Sequence, residues 1–394
     1  MLHVLVGRIC NNNCLFCMEV DRDAREQHIL AQSPDDIRRM IDAYPHADEI
    51  LFTSGEPTLC AELPTYLSWA KRRGFRNIGL ITNGRRLAYA SFLEHLVACG
   101  LNRVTISIHG HISELHDGLT RSPGSFRQTR AGLVNCVRQK DRSDLRVHTS
   151  TVLTRRNLPH LQAIQSMLCA LGVDETVWNV MMAKGRGAQH FERLMPRYHD
   201  VIRAFHTLGD GLDDDARRRI RVVDMPPCIL RSLPVGFAGK LEEFDQYEPI
   251  GSTGLSGFEV LNPASVREAR SVRHPIRGRA RALSQRLARG GFAGWVREGQ
   301  RRAGTALSRL RRSKPTLALD ALASRQTDEI SALRRTVSQA TIEQGRSYYL
   351  THRAFKDRFL RVKGPPCAAC RMRATCPGVW ELYVDRFGWN EFQA

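Results

Sequence analysis

Three cysteines fall within eight residues of one another, Cys10, Cys14 and Cys17, in the stretch Gly7-Arg8-Ile9-Cys10-Asn11-Asn12-Asn13-Cys14-Leu15-Phe16-Cys17. Thiols spaced C-x3-C-x2-C are too close together to be spread through a core. They can converge on one soft metal centre, and thiolates favour an iron–sulfur cluster or zinc. A cubane cluster has four irons, so three cysteines leave one iron open to a substrate or cofactor. Zinc would need a fourth ligand, and the best candidate, His28, stands eleven residues beyond Cys17. Three unconnected thiols are the other alternative, but a polar, Asn-rich loop is a poor place for core residues.

A second group lies near the C-terminus. Cys367-Ala368-Ala369-Cys370 and Cys376 form C-x2-C-x5-C, followed by Pro377-Gly378. Iron–sulfur and zinc sites both use such spacing. Cys60, Cys99, Cys136 and Cys169 have no such company and read as small buried apolar residues. His109, His111 and His116 invite a metal or acid–base role, against the plainer one of loop histidines bonded to water or backbone.

The elements that must position these groups follow a regular order. Val4–Val6, Ile50–Phe52, Ile78–Ile81, Val104–Ile108, Leu145–Val152 and Val177–Met181 read as short strands rich in β-branched and aliphatic residues. Helical patterns separate them. Ser33-Pro34-Asp35-Asp36 is a helix start, with an N-cap, a proline at the first helical position and acids in the first turn. Ile37, Met40, Ile41 and Tyr44 follow at helical spacing. Further helices are expected around 63–73, 93–97, 126–137 and 158–171. Six β-then-α units in series imply a parallel sheet. A doubly wound sheet is the alternative to a barrel. Arg221–Val223 is a candidate short strand leading to Pro226-Pro227-Cys228.

Bulk properties bound the rest. The 394 residues suffice for one large domain and a smaller one. No apolar run approaches the roughly 18 residues of a membrane helix, and the first residues are too short and poorly flanked for a signal peptide. Eleven cysteines, mostly in motif-like positions, suggest reduced metal ligands in the cytoplasm, not a disulfide framework. The net charge is +19, and residues 264–314 hold fifteen Lys or Arg against two Glu. Such a run should be a surface insertion, because burying unpaired guanidinium groups is too costly. Its targets would be RNA, an anionic membrane or an acidic peptide; a solvated arm with no specific partner is the alternative.

The first cysteine group, with aromatic Phe16 before its last cysteine, resembles the radical S-adenosylmethionine (radical SAM) superfamily. The resemblance implies that Cys10, Cys14 and Cys17 hold a [4Fe-4S] cluster whose open iron is chelated by S-adenosyl-L-methionine. Reductive cleavage of that cofactor would give a 5′-deoxyadenosyl radical that abstracts hydrogen from a substrate. It also implies a partial (β/α)6 TIM-like barrel over 1–210, with the chemistry at the C-terminal ends of the strands. Thr53-Ser54-Gly55-Glu56-Pro57 resembles the superfamily's Gly-Gly-Glu-Pro motif, with Ser54 in place of the first glycine. By the same likeness Ser54, Gly55, Glu56 and Pro57 would meet the methionyl amino group, and Asn83, Ser107 and, more weakly, Thr149 and Thr151 would line the cofactor pocket. No glycine-rich motif near Val177–Met181 supplies the adenine contacts.

The C-terminal cysteines resemble the end of the SPASM/twitch extensions that bind auxiliary [4Fe-4S] clusters. This implies a linker over 211–263 that carries the first ligand, Cys228, and a small C-terminal iron–sulfur domain over 315–394. Cys228, Cys367, Cys370 and Cys376 would then hold one auxiliary cluster, with zinc as the alternative. The resemblance implies a radical SAM oxidoreductase or peptide-modifying enzyme, a reductant such as flavodoxin or ferredoxin, and a ribosomally made peptide as a substrate class. The basic stretch suggests instead an RNA-modifying or membrane-associated enzyme, or a non-enzymatic iron–sulfur sensor that binds nucleic acid.

Overall fold

A computed structural model of the chain describes residues 2–7, 9–18, 34–42, 48–237, 360–373 and 376–392. The expected basic insertion at 264–314, with its polyanion partners, lies outside the described residues, as do His28 and the N-cap Ser33. The described residues fall in one compact unit, in which the C-terminal segment rejoins the N-terminal domain.

Among the described residues seven strands form one sheet: β1 (Leu2–Leu5), β2 (Glu49–Thr53), β3 (Asn77–Thr82), β4 (Arg103–Ser107), β5 (Arg146–Leu153), β6 (Glu175–Val180) and β7 (Ile220–Val223). Every neighbouring pair is parallel, and the strands lie side by side in chain order. A doubly wound sheet must reverse its order at a switch point. This sheet never reverses, and among the described residues β1 and β7 are its two edges, so it is an open, singly wound TIM-like barrel. The six expected units are present. The seventh strand pairs with β6, so the barrel sheet continues past residue 210 to Val223, into the expected linker.

Helices α1 (Pro34–Asp42), α2 (Leu63–Arg72), α3 (Ala90–Ala98), α4 (Ser113–Thr120), α5 (Ser125–Gln139) and α6 (Leu161–Leu171) fill the crossovers between β1 and β6. Between β6 and β7 run α7 (Arg186–Gln189), α8 (Phe191–Leu194), α9 (Tyr198–Asp210) and α10 (Asp214–Arg218). Side chains alternate across each strand. Ile50, Phe52, Leu80, Val104, Ile106 and Trp178 are fully buried and face the helices. Trp178 stands edge-on to Phe205 of α9 with ring centroids 6.1 Å apart, and donates to Gln165 of α6 at 3.2 Å. The opposite face is half-buried and polar, carrying Thr105, Ser107, Ser150 and Asn179. That face lines the inside of the barrel.

The C-terminal segment contributes β8 (Arg361–Val362), β9 (Val379–Trp380), paired antiparallel, and α12 (Glu381–Phe387), after α11 (Pro227–Leu230) closes the barrel part. Tyr383 of α12 stacks on Tyr198 of α9 with centroids 4.2 Å apart. Its hydroxyl accepts from the Tyr198 N–H at 2.8 Å and donates to Glu391 at 2.7 Å. Both rings are fully buried, so burial of aromatic area and a satisfied hydroxyl together dock the extension on α9.

Candidate functional site

All seven strands run the same way, so the loops after them gather at one end of the sheet. The loop after β1 carries Cys10, Cys14 and Cys17, each half-buried. The loop after β2 carries Ser54–Pro57, and the two loops pack backbone against backbone. A Cβ on Gly55 would lie 2.6 Å from the Gly7 and Ile9 carbonyl oxygens, and one on Gly7 would lie 1.9 Å from the Ser54 oxygen. The Glu56 N–H donates to the Ile9 carbonyl at 2.8 Å across that contact. Ser54 and Gly55 both take positive φ, 78° and 48°. Serine in the left-handed region costs about 1 kcal/mol, which is the local penalty for departing from glycine there.

Glu56 is 1% exposed and its carboxylate is used inside the protein. One oxygen accepts from Thr58 N–H (3.1 Å), Thr58 Oγ1 (2.6 Å) and Thr82 Oγ1 (2.5 Å), and the other from Asn83 N–H (2.7 Å). Burial pushes this carboxyl above its usual range, and the four donors oppose that shift. The acid therefore ties the β2 loop to the end of β3, and what the loop offers a ligand is its backbone. Glu56→Gln would set an amide NH2 against either Asn83 N–H or the Thr58 and Thr82 donors. A loss of about 1–3 kcal/mol is expected, read as a lower urea midpoint with unchanged slope; an unchanged midpoint would show that the network carries no stability.

Pro57 begins a short 3₁₀ turn, Pro57–Leu59, that Glu56 caps. Asn83 and Thr82 end β3 against α5. The Asn83 carbonyl accepts from Thr129 Oγ1 at 2.8 Å, and Gly132 lets α5 approach the Gly84 carbonyl so closely that a Cβ there would sit 2.2 Å away. The Asn83 carboxamide reaches the cysteine loop, donating to Asn11 Oδ1 at 2.6 Å and lying 3.9 Å from Cys10 Sγ. The Asn12 N–H also points at Cys10 Sγ, at 3.4 Å. Donors aimed at a sulfur favour its thiolate form, as a metal ligand requires.

The C-terminal end of α4 holds the same loop. Its last carbonyls, Leu119 and Thr120, accept from Leu15 and Asn13 N–H, both at 2.9 Å, which satisfies acceptors a helix end leaves open. Phe16 is 7% exposed and stands edge-on to His109, centroids 4.6 Å apart. His109 and His116 are buried partners. His109 Nδ1 accepts from Val152 N–H at 3.2 Å, and His116 Nδ1 accepts from His109 N–H at 3.1 Å. Burial holds His109 well below the ordinary histidine range, and holds His116 at about 4. Both rings are therefore neutral, with the hydrogen on Nε2. His111 stands apart from them, 5.3 Å from His160 between centroids.

Ser107 lies on the inner face, in register with Ser150, whose hydroxyl accepts from Asn179 Nδ2 at 2.8 Å. Thr149 does not share that face. It pairs with Ile106 and Thr176, is 1% exposed beneath the helices, and its hydroxyl has no partner among the described residues. Thr151 is turned the same way and donates to the Ile108 carbonyl at 2.5 Å. Neither lines the pocket. Strand parity decides this, and Ser150 and Asn179 are the residues that lie on the inner face with Ser107.

Cys228 stands in α11, just after β7, and lines one small cavity with Cys367, Cys370 and Cys376. Burial and then the three neighbouring thiols push Cys228 up to about 11. Burial raises Cys376 too, against the Gly378 N–H that donates to its sulfur at 3.4 Å. Cys228 and Cys376 resist losing their protons until a cationic centre compensates them, which suits an iron–sulfur cluster. Among the described residues, no three His, Cys, Asp or Glu are close enough to share a single metal ion. A cubane does not ask for that, because each thiolate takes a different iron.

Residues 4–166 match the model of the radical SAM superfamily. The chain is 28% identical over 207 residues to an AdoMet-dependent heme synthase of Oleidesulfovibrio alaskensis, covering 51% of each chain. It is 26% identical over 175 residues to a probable GTP 3′,8-cyclase of Metallosphaera sedula, covering 44% of this chain and 53% of that one. Among solved structures, Streptococcus suis SuiB bound to its precursor peptide SuiA aligns with TM-score 0.45 at 14% identity, over 57% of this chain and 48% of that one. The chain thus spans about half the length of the curated relatives it matches.

Proposed function

From residues 4–166 being a radical SAM domain, we propose that this chain cleaves S-adenosyl-L-methionine reductively and uses a second iron–sulfur cluster on a peptide substrate. The cofactors of such a domain are a [4Fe-4S] cluster and S-adenosylmethionine, which together supply a 5′-deoxyadenosyl radical for hydrogen abstraction. Cys10, Cys14 and Cys17 would hold the cluster. The backbone of Ser54–Glu56 would receive the methionyl amino group, and Ser107 with Ser150 would face the rest of the cofactor. Phe16, backed by neutral His109, would shield the cluster side from water. No helix among the described residues is long and apolar enough to cross a membrane, and a reducing cytoplasm with a flavodoxin- or ferredoxin-class donor suits seven cysteines kept as thiols.

The observation that carries the auxiliary cluster is the cavity lined jointly by Cys228 and the three C-terminal cysteines. These come from stretches far apart in sequence, and chance alone rarely assembles four thiols. The resemblance to SPASM/twitch extensions supports a peptide as the substrate class. Anaerobically reconstituted protein is expected to hold about eight irons per chain, four per cubane. Replacing Cys10, Cys14 and Cys17 by Ala should leave about half the iron and abolish 5′-deoxyadenosine formation. Zinc without iron in that variant would overturn the auxiliary cluster, and undiminished 5′-deoxyadenosine would overturn the ligand assignment.

A further inference from the structure

Three arginines approach the loop that carries Cys10, Cys14 and Cys17, and only two of them hold it. Arg85 and Arg186 donate to Asn11, Asn12, Asn13 and Cys14. The third is Arg121. The Thr120 carbonyl accepts from Asn13 N–H at 2.9 Å, and Ser122 Oγ donates to the Asn11 carbonyl at 3.4 Å. Arg121 stands between these two residues, exposed, and caps α4 with φ 50° and ψ 40°. That left-handed position favours glycine, which has no Cβ to strain. Strained residues concentrate where the side chain has a use. Yet the Arg121 guanidinium has no ion pair or hydrogen bond among the described residues.

Its surroundings share its sign. Residues 121–139 hold four Arg and no Asp or Glu. Helical spacing puts Arg127 and Arg130 on the solvent face of α5, while Gln128, Thr129 and Gly132 turn toward the loop after β3. Both arginines are exposed, and neither has an acid partner among the described residues. Asp117 accepts from Gly124 and Phe126 N–H, both at 2.7 Å, which fixes the start of α5 beside Arg121. Glu114 lies at the other end of α4. On the cysteine loop itself Ile9 and Met18 are exposed, at 44% and 38%.

We propose that Arg121, Arg127 and Arg130, with Ile9 and Met18, form the docking face for an acidic one-electron carrier protein. The proposal rests on Cys10, Cys14 and Cys17 holding the reducible cluster. The step is the transfer of one electron: the carrier is oxidised, the cluster is reduced, no bond forms or breaks and no proton moves. Weak redox encounters use small interfaces, and complementary charge raises their association rate. A few exposed, unpaired arginines beside apolar side chains therefore suffice. RNA is the other polyanion such a face could meet. Adjacency to the cysteine loop favours the carrier, because electron transfer needs that closeness and phosphate binding does not.

The test is anaerobic stopped-flow bleaching of the reconstituted full-length protein. The reductants are an acidic flavodoxin, an acidic ferredoxin and reduced methyl viologen, a small cation that needs no docking face. The signal read is the component missing from the Cys10/Cys14/Cys17 triple-Ala variant. With at least one carrier the wild-type rate should fall as salt rises. Arg121→Gly should raise the urea midpoint, because it relieves the left-handed strain, and yet slow that carrier. Adding Arg127→Gln and Arg130→Gln should slow it about tenfold at low salt and flatten the salt dependence. Viologen should reduce every variant as fast as wild type. Wild-type carrier rates in the folded triple variant overturn the proposal, and so does a wild type that viologen reduces and neither carrier does. Equal slowing by viologen means that the arginines act on the loop and not on docking, and overturns it too. If carrier rates hold while binding to a single-stranded oligoribonucleotide weakens, the face is an RNA contact and the proposal fails. A wild type with no signal dependent on Cys10, Cys14 and Cys17 overturns the ligand assignment instead.

Discussion

Gly7→Ala is expected to lower the rate of 5′-deoxyadenosine formation a hundredfold or more. Gly7 needs no unusual φ, so the whole effect is steric. A Cβ there would sit 1.9 Å from the Ser54 oxygen and 2.8 Å from the Glu56 nitrogen. Both are backbone atoms of the facing loop, and backbone cannot swing aside as a flexible side chain can. The β1 and β2 loops must therefore separate, breaking the 2.8 Å bond from Glu56 N–H to the Ile9 carbonyl. Overpacking of this kind costs about 1–3 kcal/mol of stability. The larger consequence is geometric, because the loop with the thiols moves away from the loop that would seat the cofactor, and a displacement of about 1 Å can cost about 100-fold in rate. Gly74→Ala is the control. It has φ +85° but nothing within 4 Å of its would-be Cβ, so it should cost some stability and no rate. A Gly7→Ala protein with wild-type turnover would show that the two loops need not touch.

The second large effect is acid destabilisation through the buried histidine pair. His116 has an ordinary value of 6.5 and is held at about 4 in the folded chain, chiefly by burial. Below pH 6.5 the unfolded chain takes up a proton that the folded ring refuses. Stability is therefore complete above about 6.5 and is lost as pH falls toward 4. One proton over that window amounts to about 3 kcal/mol, a large share of the roughly 5–15 kcal/mol of a typical domain. His109, also lowered by burial, acts in the same direction. Glu56 acts oppositely, since its carboxyl is raised and the folded chain keeps its proton longer as pH rises. His116→Asn keeps an acceptor for the His109 N–H while removing the titration. Urea unfolding of wild type and variant at pH 7, 6, 5 and 4 should give curves that converge in slope only above 6.5. Parallel curves throughout would mean that His116 is not buried as a neutral ring.

Much of this architecture was legible in the amino-acid order because it rests on local rules. Short β-branched runs and helical periodicity are properties of neighbouring residues, so the six βα units and Arg221–Val223 could be placed before any contact was known. The spacing of Cys10, Cys14 and Cys17 is likewise confined to one loop, as is Ser54-Gly55-Glu56-Pro57. Spacing also singled out Cys367, Cys370 and Cys376.

Tertiary structure decided whatever depends on direction or on distant partners. Thr149 and Ser150 are adjacent in sequence, yet a strand turns one toward the helices and the other toward the barrel interior; only the packing of the sheet says which. The sequential strand order, which separates an open barrel from a doubly wound sheet, is a pairing of segments tens of residues apart. Glu56 reads from its motif as a cofactor-contacting residue, and only the fold shows that Thr58, Thr82 and Asn83 donate to its carboxylate. Arg186 carries no local signature, because its partners Asn13 and Cys14 lie at the other end of the barrel chain. Side-chain chemistry and short-range spacing are written in the order of residues, whereas which groups face one another is set by the burial of the whole chain, where the cost of an unpaired polar group outweighs any local preference.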